Sequence, residues 1–331
     1  PVKGMMAKQQ DAIREALTEA MTEDPTVLVL GEDVERSTIG TTKGLIEKFG
    51  PTRVRNTPIS ENGVLSACVG AAASGVRPVF DIMFSSFFYV CLDAIANQAP
   101  RLRYMSGGQT SVPLTVIAPT GPSGSAAAHH SDNPHGMLMG LPGIKIAFPS
   151  SAADFKGLLI ESIREPNPVV FFADLMLLGK KGDVPEGEHY TPIGKAAVVR
   201  EGSDVTIVAF SIMVGKALQA AEKLAEEGIS AEVIDLRTIR PLDTETIVES
   251  VKKTNRLVSV EEGWPVAGMG SEMAAIMMEQ CFDYLDAPVK RVAGLDVPLP
   301  YAANLEKLCL PQASHIIEAA REVCYRNAEA A

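Results

Sequence analysis

The sequence predicts an α/β protein built as two doubly wound domains with mostly parallel sheets, and three observations carry that prediction. Apolar runs of strand length alternate with amphipathic segments of helix length, the pattern of strands joined by helical crossovers. The alternation lapses once, where Gly179-Lys-Lys-Gly-Asp-Val-Pro-Glu-Gly-Glu-His189 is charged, glycine-bearing and without a hydrophobic period. The chain has 331 residues, enough for two domains of about 100 to 200 residues each. We therefore expect a first domain over residues 1–175, a linker over 176–196 and a second domain over 197–331.

In the first domain, Ile13, Ala16, Leu17 and Ala20 recur at helical spacing over residues 7–22, and Thr26-Val-Leu-Val-Leu-Gly31 reads as a buried strand. Gly31-Glu-Asp-Val34 follows its carboxyl end, where open α/β sheets bind ligands, although surface acids are equally ordinary there. A short helix over 42–49 leads to the turn Asn56-Thr-Pro-Ile-Ser-Glu-Asn-Gly63. The run from Val64 to Gly75 is so apolar and small-sided that it predicts a helix packed tightly inside the protein. Arg77-Pro-Val-Phe-Asp-Ile-Met-Phe84 is the next strand, with an aromatic exit through Phe87, Phe88 and Tyr89 whose ordinary role is core, then a helix over 91–104. Strands over 112–118, 143–148 and 167–172, and a helix capped near Ser151 and running to Glu165, complete this domain. In the second, strands over 204–210, 231–236 and 256–261 alternate with helices over 214–227, after Pro241-Leu-Asp243, and over 270–280.

Two polar stretches interrupt the scaffold. Glu61 stands at the mouth of the small-residue helix, where burial favours its neutral form and the helix N-terminus favours its anion. A capping turn with Ser60 or Asn62 as N-cap is the plain reading, and a catalytic acid the sharper one. Farther on, Pro119-Thr-Gly-Pro-Ser-Gly-Ser125 delivers Ala126-Ala-Ala-His-His-Ser-Asp132. Adjacent His129 and His130 point apart, so at most one enters a pocket. His129, His130 and His135 fall within seven residues, but the spacing matches neither HExxH nor a zinc finger and no cysteine stands among them. Exposed histidines on a polar loop remain the alternative.

Composition narrows the partners. A formal charge of −11 and a pI near 5.1 argue against nucleic acid and anionic membranes, which demand clustered Lys and Arg. Cys68, Cys91, Cys281, Cys309 and Cys324 are scattered without a CxxC pair, as suits reduced thiols in a cytoplasmic or mitochondrial-matrix compartment. Lys3, Lys8 and Arg14 break up the first residues, against a signal peptide, and no run reaches the ~20 apolar residues of a membrane helix. A Walker A loop and a GxGxxG after a strand are both absent, so no phosphate-cradling loop is evident.

The landmarks Gly31-Glu-Asp-Val34, Asn56-Thr-Pro-Ile-Ser-Glu61, Gly75-Val-Arg-Pro78, Tyr104-Met-Ser-Gly-Gly108, His130-Ser131, Pro142-Gly143, Lys156-Gly157, Asp235-Leu-Arg-Thr-Ile-Arg-Pro-Leu-Asp243, Glu261-Glu-Gly-Trp-Pro265 and Asp296-Val-Pro-Leu-Pro300 stand in order along the chain. With them the chain resembles, over essentially its full length, the beta subunit of the thiamine-diphosphate-dependent decarboxylating component of 2-oxo acid dehydrogenase complexes. The resemblance implies a pyrimidine-binding domain followed by a transketolase C-terminal-like domain. It implies that Glu61 hydrogen-bonds the aminopyrimidine that serves as internal base, with Glu32, Met83 and Phe87 also at the cofactor, and that His130 steers substrate and the lipoyl group. Mg²⁺ and the diphosphate fall to a separate alpha subunit bearing a GDG motif, absent here, which implies an α2β2 heterotetramer. The family's potassium site of backbone carbonyls maps onto Leu114, Thr115, Ser162, Glu165 and Asn167, with Pro166 altering the loop. The region around Asp296 resembles the docking surface for a lipoyl acyltransferase core, and a polar tail, residues 326–331, extends past the last helix.

The stretch from Asp132 to Leu141 lacks the aromatic-rich run and second histidine usual in the family, and His129 replaces a common glutamine. Pyruvate is the first expected substrate, from Glu261-Glu-Gly-Trp-Pro265 and Leu295-Asp-Val-Pro-Leu-Pro-Tyr301. Val90-Cys-Leu-Asp93 and Pro149-Ser-Ser151 look more like acetoin-cleaving relatives, and branched 2-oxo acids stay open. A non-catalytic scaffold of the same fold predicts a broken Glu61 or His130 position, and both are intact. A stand-alone transketolase-like synthase needs a diphosphate domain for which this chain is too short.

Overall fold

The computed structural model describes residues 4–326, with side chains from residue 6 onward. Lys3 and the tail beyond Arg326 lie outside the described residues. The chain forms two compact units, one of Pro1–Thr120 and Met137–Ile193, the other of Gly121–Gly136 and Gly194–Ala331. Residues 121–136 therefore group with the later part of the chain, although sequence order sets them among the elements of the first unit.

The first unit begins with β1 (Gly4–Lys8), α1 (Gln9–Glu23), β2 (Val27–Gly31), α2 (Leu45–Phe49), β3 (Val54–Asn56), α3 (Glu61–Ala73), β4 (Arg77–Asp81), α4 (Leu102–Met105) and β5 (Thr115–Thr120). After α5 (His135–Met139) come β6 (Lys145–Ala147), α6 (Ala152–Arg164), β7 (Val169–Asp174), α7 (Leu175–Leu178) and β8 (Lys181–Pro185). Within this unit the sheet strands lie in the order β6-β7-β5-β4-β2-β3, each neighbouring pair parallel. β5 and β7 are buried at every position, as strands covered on both faces must be. Phe148 stacks on Phe172 at 4.4 Å, and Phe88 meets Phe172 edge-on at 6.1 Å. Ser151 caps α6 by accepting from the Asp154 N–H at 3.1 Å.

Three expectations fail here for identifiable reasons. The helix expected over 91–104 is a π-helical turn, Asp93–Gln98, then the single turn of α4, because Pro100 between them has no N–H to donate. The apparent linker contains α7 and β8, and β8 pairs antiparallel with β1. Only Val184 of that strand is buried, so its sequence looks like a loop. The small-residue helix α3 buries Leu65, Cys68, Val69 and Ala72, but Gly63, Ala67 and Gly70 are exposed. Its small side chains leave a groove of about 410 Å³ against Leu28, Leu30 and Pro78 instead of filling one.

The second unit contains β9 (Ala197–Arg200), β10 (Val205–Ala209), α8 (Ile212–Glu226), β11 (Ala231–Asp235), β12 (Thr238–Arg240), α9 (Thr244–Thr254), β13 (Leu257–Val260), α10 (Met269–Gln280), β14 (Lys290–Val292), α11 (Ala303–Cys309) and α12 (Ala313–Val323). Its sheet has the order β14-β13-β10-β11-β9, parallel apart from the antiparallel edge strand β9. Val205, Ile207, Val233 and Val258 pack with Met213, Ala217 and Leu224 of α8 and Ile316 and Ala320 of α12. Asp243 caps α9 by accepting from the Thr246 N–H at 3.3 Å, and Asn255 ends that helix in the left-handed region. Among the described residues no helix is long and apolar enough to cross a membrane.

Candidate active site

β2 is flanked by β3 on one side and β4 on the other, so the crossover through α2 leaves β2 in one direction and the crossover through α3 returns past it. That reversal is a switch point, and the crevice at the strands' carboxyl ends is where such sheets bind ligands. Each of the three strands delivers an acid there: Glu32 just after β2, Glu61 as the first residue of α3, and Asp81 at the end of β4. Glu32, Thr57, Pro58, Glu61, Val64 and Asp81 line one narrow crevice. Glu32, Thr41, Thr42, Asp81 and Met83 line a second. No lysine or arginine lines either.

The carboxylates feel one another and their burial. Burial first, then the charges of Glu61 and Asp33, raise the Glu32 carboxyl above its ordinary range. The Cys91 thiol is pushed up to about 12 by burial and then by the Glu61 charge. Ser60 occupies the N-cap position of α3 without a side-chain cap bond, so the capping reading loses its donor pairing. Glu61 is the acid in the first turn, half-buried, with its side chain toward the crevice.

Asp81 was hidden in the sequence inside an apolar strand; its signal was a lone acid between Phe80 and Ile82. It accepts from the Met83 N–H at 2.9 Å and faces the Thr41 hydroxyl at 3.4 Å. Met83 adopts φ +67°, a left-handed conformation costly for a side chain of its kind, and the Asp81 bond holds it there. Burial raises Asp81 from 3.8 to about 6. A carboxyl raised in the folded state stabilises fully only below the unfolded value of 3.8, and that contribution is lost as pH rises to about 6. The gap corresponds to about 3 kcal/mol. Asp81→Asn keeps an acceptor for Met83 without a buried charge, so its melting temperature is expected to gain on the parent between about pH 4 and about pH 6. Parallel melting temperatures across that range would refute the assignment.

Phe87 lies in the 3₁₀ turn Ser85–Tyr89, 5.7 Å and edge-on to Phe84, and its carbonyl accepts from the Cys91 thiol at 3.3 Å. The structure thus gathers Glu32, Glu61 and Met83 around adjoining crevices and sets Phe87 on the next turn of the same unit. His130 belongs to the other unit, exposed at the end of the 3₁₀ turn Ala128–His130, with His129 exposed beside it. His135 is buried and paired to Glu261. Among the described residues no group of three or more His, Cys, Asp or Glu side chains could hold a metal. The carbonyls considered for potassium already have donors: Leu114 receives the Val169 N–H, Ser162 the Thr115 hydroxyl at 3.0 Å, and Glu165 the Arg77 guanidinium at 3.3 Å.

The transketolase pyrimidine-binding domain family matches residues 6–180, and the transketolase C-terminal domain family matches residues 194–316. A solved structure described as a split gene transketolase, an inactive beta4 tetramer, superposes with a TM-score of 0.80 at 27% identity, covering 98% of this chain and 99% of its own. Fold and site therefore define a transketolase-like protein of the thiamine-diphosphate-dependent class. The pyruvate dehydrogenase E1 component subunit beta of Rickettsia felis is 50% identical over 323 residues, covering 97% of this chain and 99% of that protein. The mitochondrial subunit beta-1 of Arabidopsis thaliana is 50% identical over 96% of this chain and 89% of its own, and the Dictyostelium discoideum subunit is 47% identical over 96% and 91%. The chain belongs to the family of E1-component beta subunits.

Proposed function

We propose that the chain is the beta half of a 2-oxo acid dehydrogenase component that decarboxylates pyruvate and passes the acyl group to a lipoyl protein, in an α2β2 heterotetramer. The observation that carries this is the lopsided chemistry of the switch-point crevices: the carboxylates of Glu32, Asp33, Glu61 and Asp81 and no cation. Such a lining fits the pyrimidine end of thiamine diphosphate, which needs an acceptor for a ring nitrogen, and offers no cation to a diphosphate, while among the described residues no cluster of His, Cys, Asp or Glu could hold the accompanying Mg²⁺. The chemistry that thiamine diphosphate supplies when bound is a nucleophilic carbon and an electron sink. Glu61 holds a proton at the pyrimidine nitrogen, Glu32 and Asp81 keep the surroundings acidic, and Met83 and Phe87 wall the ring from water. His130 donates toward the substrate oxygen or the lipoyl sulfur.

The diphosphate and Mg²⁺ belong to the alpha subunit, the lipoyl acyltransferase core docks near Asp296, and potassium would be held by the carbonyls of Leu114, Thr115, Ser162, Glu165 and Asn167, using the second lone pair where a donor already takes the first. The split gene transketolase described as an inactive beta4 tetramer agrees with a beta chain that is silent by itself. The test is calorimetric titration of thiamine diphosphate with Mg²⁺, in potassium and in sodium buffer, on the chain alone and on the chain co-purified with a GDG-bearing alpha subunit, then decarboxylation assays. Saturable binding and pyruvate turnover are expected only in the complex. Micromolar binding by the chain alone, or acetoin cleavage faster than pyruvate turnover, would overturn the proposal.

A further inference from the structure

The segment 121–136 that carries His130 is held by three acids of its own unit, each more than a hundred residues away in sequence. Glu306 accepts from the Ser125 N–H at 3.1 Å, Glu262 from the Asn133 side-chain amide at 3.3 Å, and Glu261 from His135 Nε2 at 2.9 Å. The last contact is the deepest, with both side chains 2% exposed. Glu261 also accepts the Met269 N–H at 3.0 Å and the Gly270 N–H at 2.9 Å, so the same carboxylate caps α10 and grips the segment. Glycines make the room for it. A Cβ at Gly263 would meet His135 Cε1 at 2.5 Å, one at Gly268 would meet Glu261 Oε1 at 2.6 Å, and one at Gly136 would meet the Ala267 carbonyl oxygen at 2.7 Å. Between the outer pins the backbone is strained: Ser125 has φ +68° and Ala127 φ +63°, conformations that persist only where the surroundings enforce them.

We propose that His135 and Glu261 form a buried latch that fixes the backbone carrying His130, and are positioning residues for the reaction in which His130 takes part. The proposal rests on the reading of His130 given above. The third histidine of the cluster is then neither a metal ligand nor a substrate contact; it is the anchor five residues downstream of the one that acts. Glu262, which burial keeps toward its neutral form, and Asn133 extend the grip by one hydrogen bond.

His135→Leu removes the donor and leaves Glu261 its two N–H partners on α10, so the unit's core is expected to survive; His135→Gln retains a donor. Hydrogen–deuterium exchange on the full-length chain is expected to speed up about tenfold over residues 124–136 in His135→Leu, with β10, β11 and β13 unchanged. In the assembled complex, kcat is expected to fall about tenfold with a smaller change in KM, and His135→Gln to restore both readouts. Unchanged exchange in the segment overturns the latch, and a uniform rise across β10, β11 and β13 overturns it in favour of a general structural role. Faster segment exchange with kcat and KM unaltered overturns positioning. A wild-type complex inactive on 2-oxo acids and acetoin overturns the functional reading and with it the role in reaction, while the exchange comparison still reads the latch.

Discussion

Glu61→Ala, assembled with its alpha subunit, is expected to lose about 10² to 10⁴ in kcat, the range associated with one positioned proton-transfer group. The fold is expected to survive. Glu61 is only half-buried, Ser60 makes no cap bond that depends on it, and the hydrophobic contacts of α3 run through Leu65, Cys68, Val69 and Ala72 farther along. Loss of an acid from a helix's first turn costs about 0.3 to 1 kcal/mol, and relief of its repulsion with Glu32 offsets part of that. Glu61→Gln sharpens the comparison, because the amide fills the same space and still accepts a hydrogen bond without the charge. Steady-state assays and melting curves on the three complexes read both quantities. Turnover by the alanine variant within a few-fold of the parent would sink the assignment of Glu61.

Gly143→Ala is expected to be the most damaging of the single-methyl additions in the first unit, costing about 3 to 5 kcal/mol. Gly143 sits at φ +94°, where a side chain is strained wherever it points. A Cβ there would also stand 2.3 Å from the Pro100 carbonyl oxygen and 3.1 Å from its carbonyl carbon, which are backbone atoms with no rotamer to escape into. Gly75 is the internal control: its φ is +95°, yet nothing lies within 4 Å of the added carbon. Gly75→Ala therefore bears only the conformational term, about 1 to 2 kcal/mol. Urea denaturation of the two variants separates strain from collision, and equal losses would refute the steric account.

Local signals were legible where local physics decides. The strands β2, β4, β10, β11 and β13 and the helices α1, α6, α8 and α10 fall within a few residues of their apolar periods, because burial on a regular element imposes that period. The order β6-β7-β5-β4-β2-β3 was not legible, since it depends on which crossover turns back. β8 escaped because a two-stranded ribbon with one buried side chain imposes almost no pattern. Asp81 escaped because a strand read for its apolar residues hides the polar one that ends it. Glu61 was visible as an acid before a helix, but only resemblance lifted it above a cap. The sequence placed His130 on a loop and left its anchors invisible, because His135 and Glu261 are 126 residues apart.

The division of the chain into units has a consequence for anyone who would take it apart. A cut between Ile193 and Gly194 looks like a clean separation of two modules, since every later residue belongs to one unit. The amino-terminal piece would nevertheless carry away Gly121–Gly136, a loan from the other unit, while Glu261, Glu262 and Glu306 stay behind without the segment they grip. The polypeptide is threaded so that the later half does not own all of its own parts, and the histidine offered for chemistry travels on the borrowed piece.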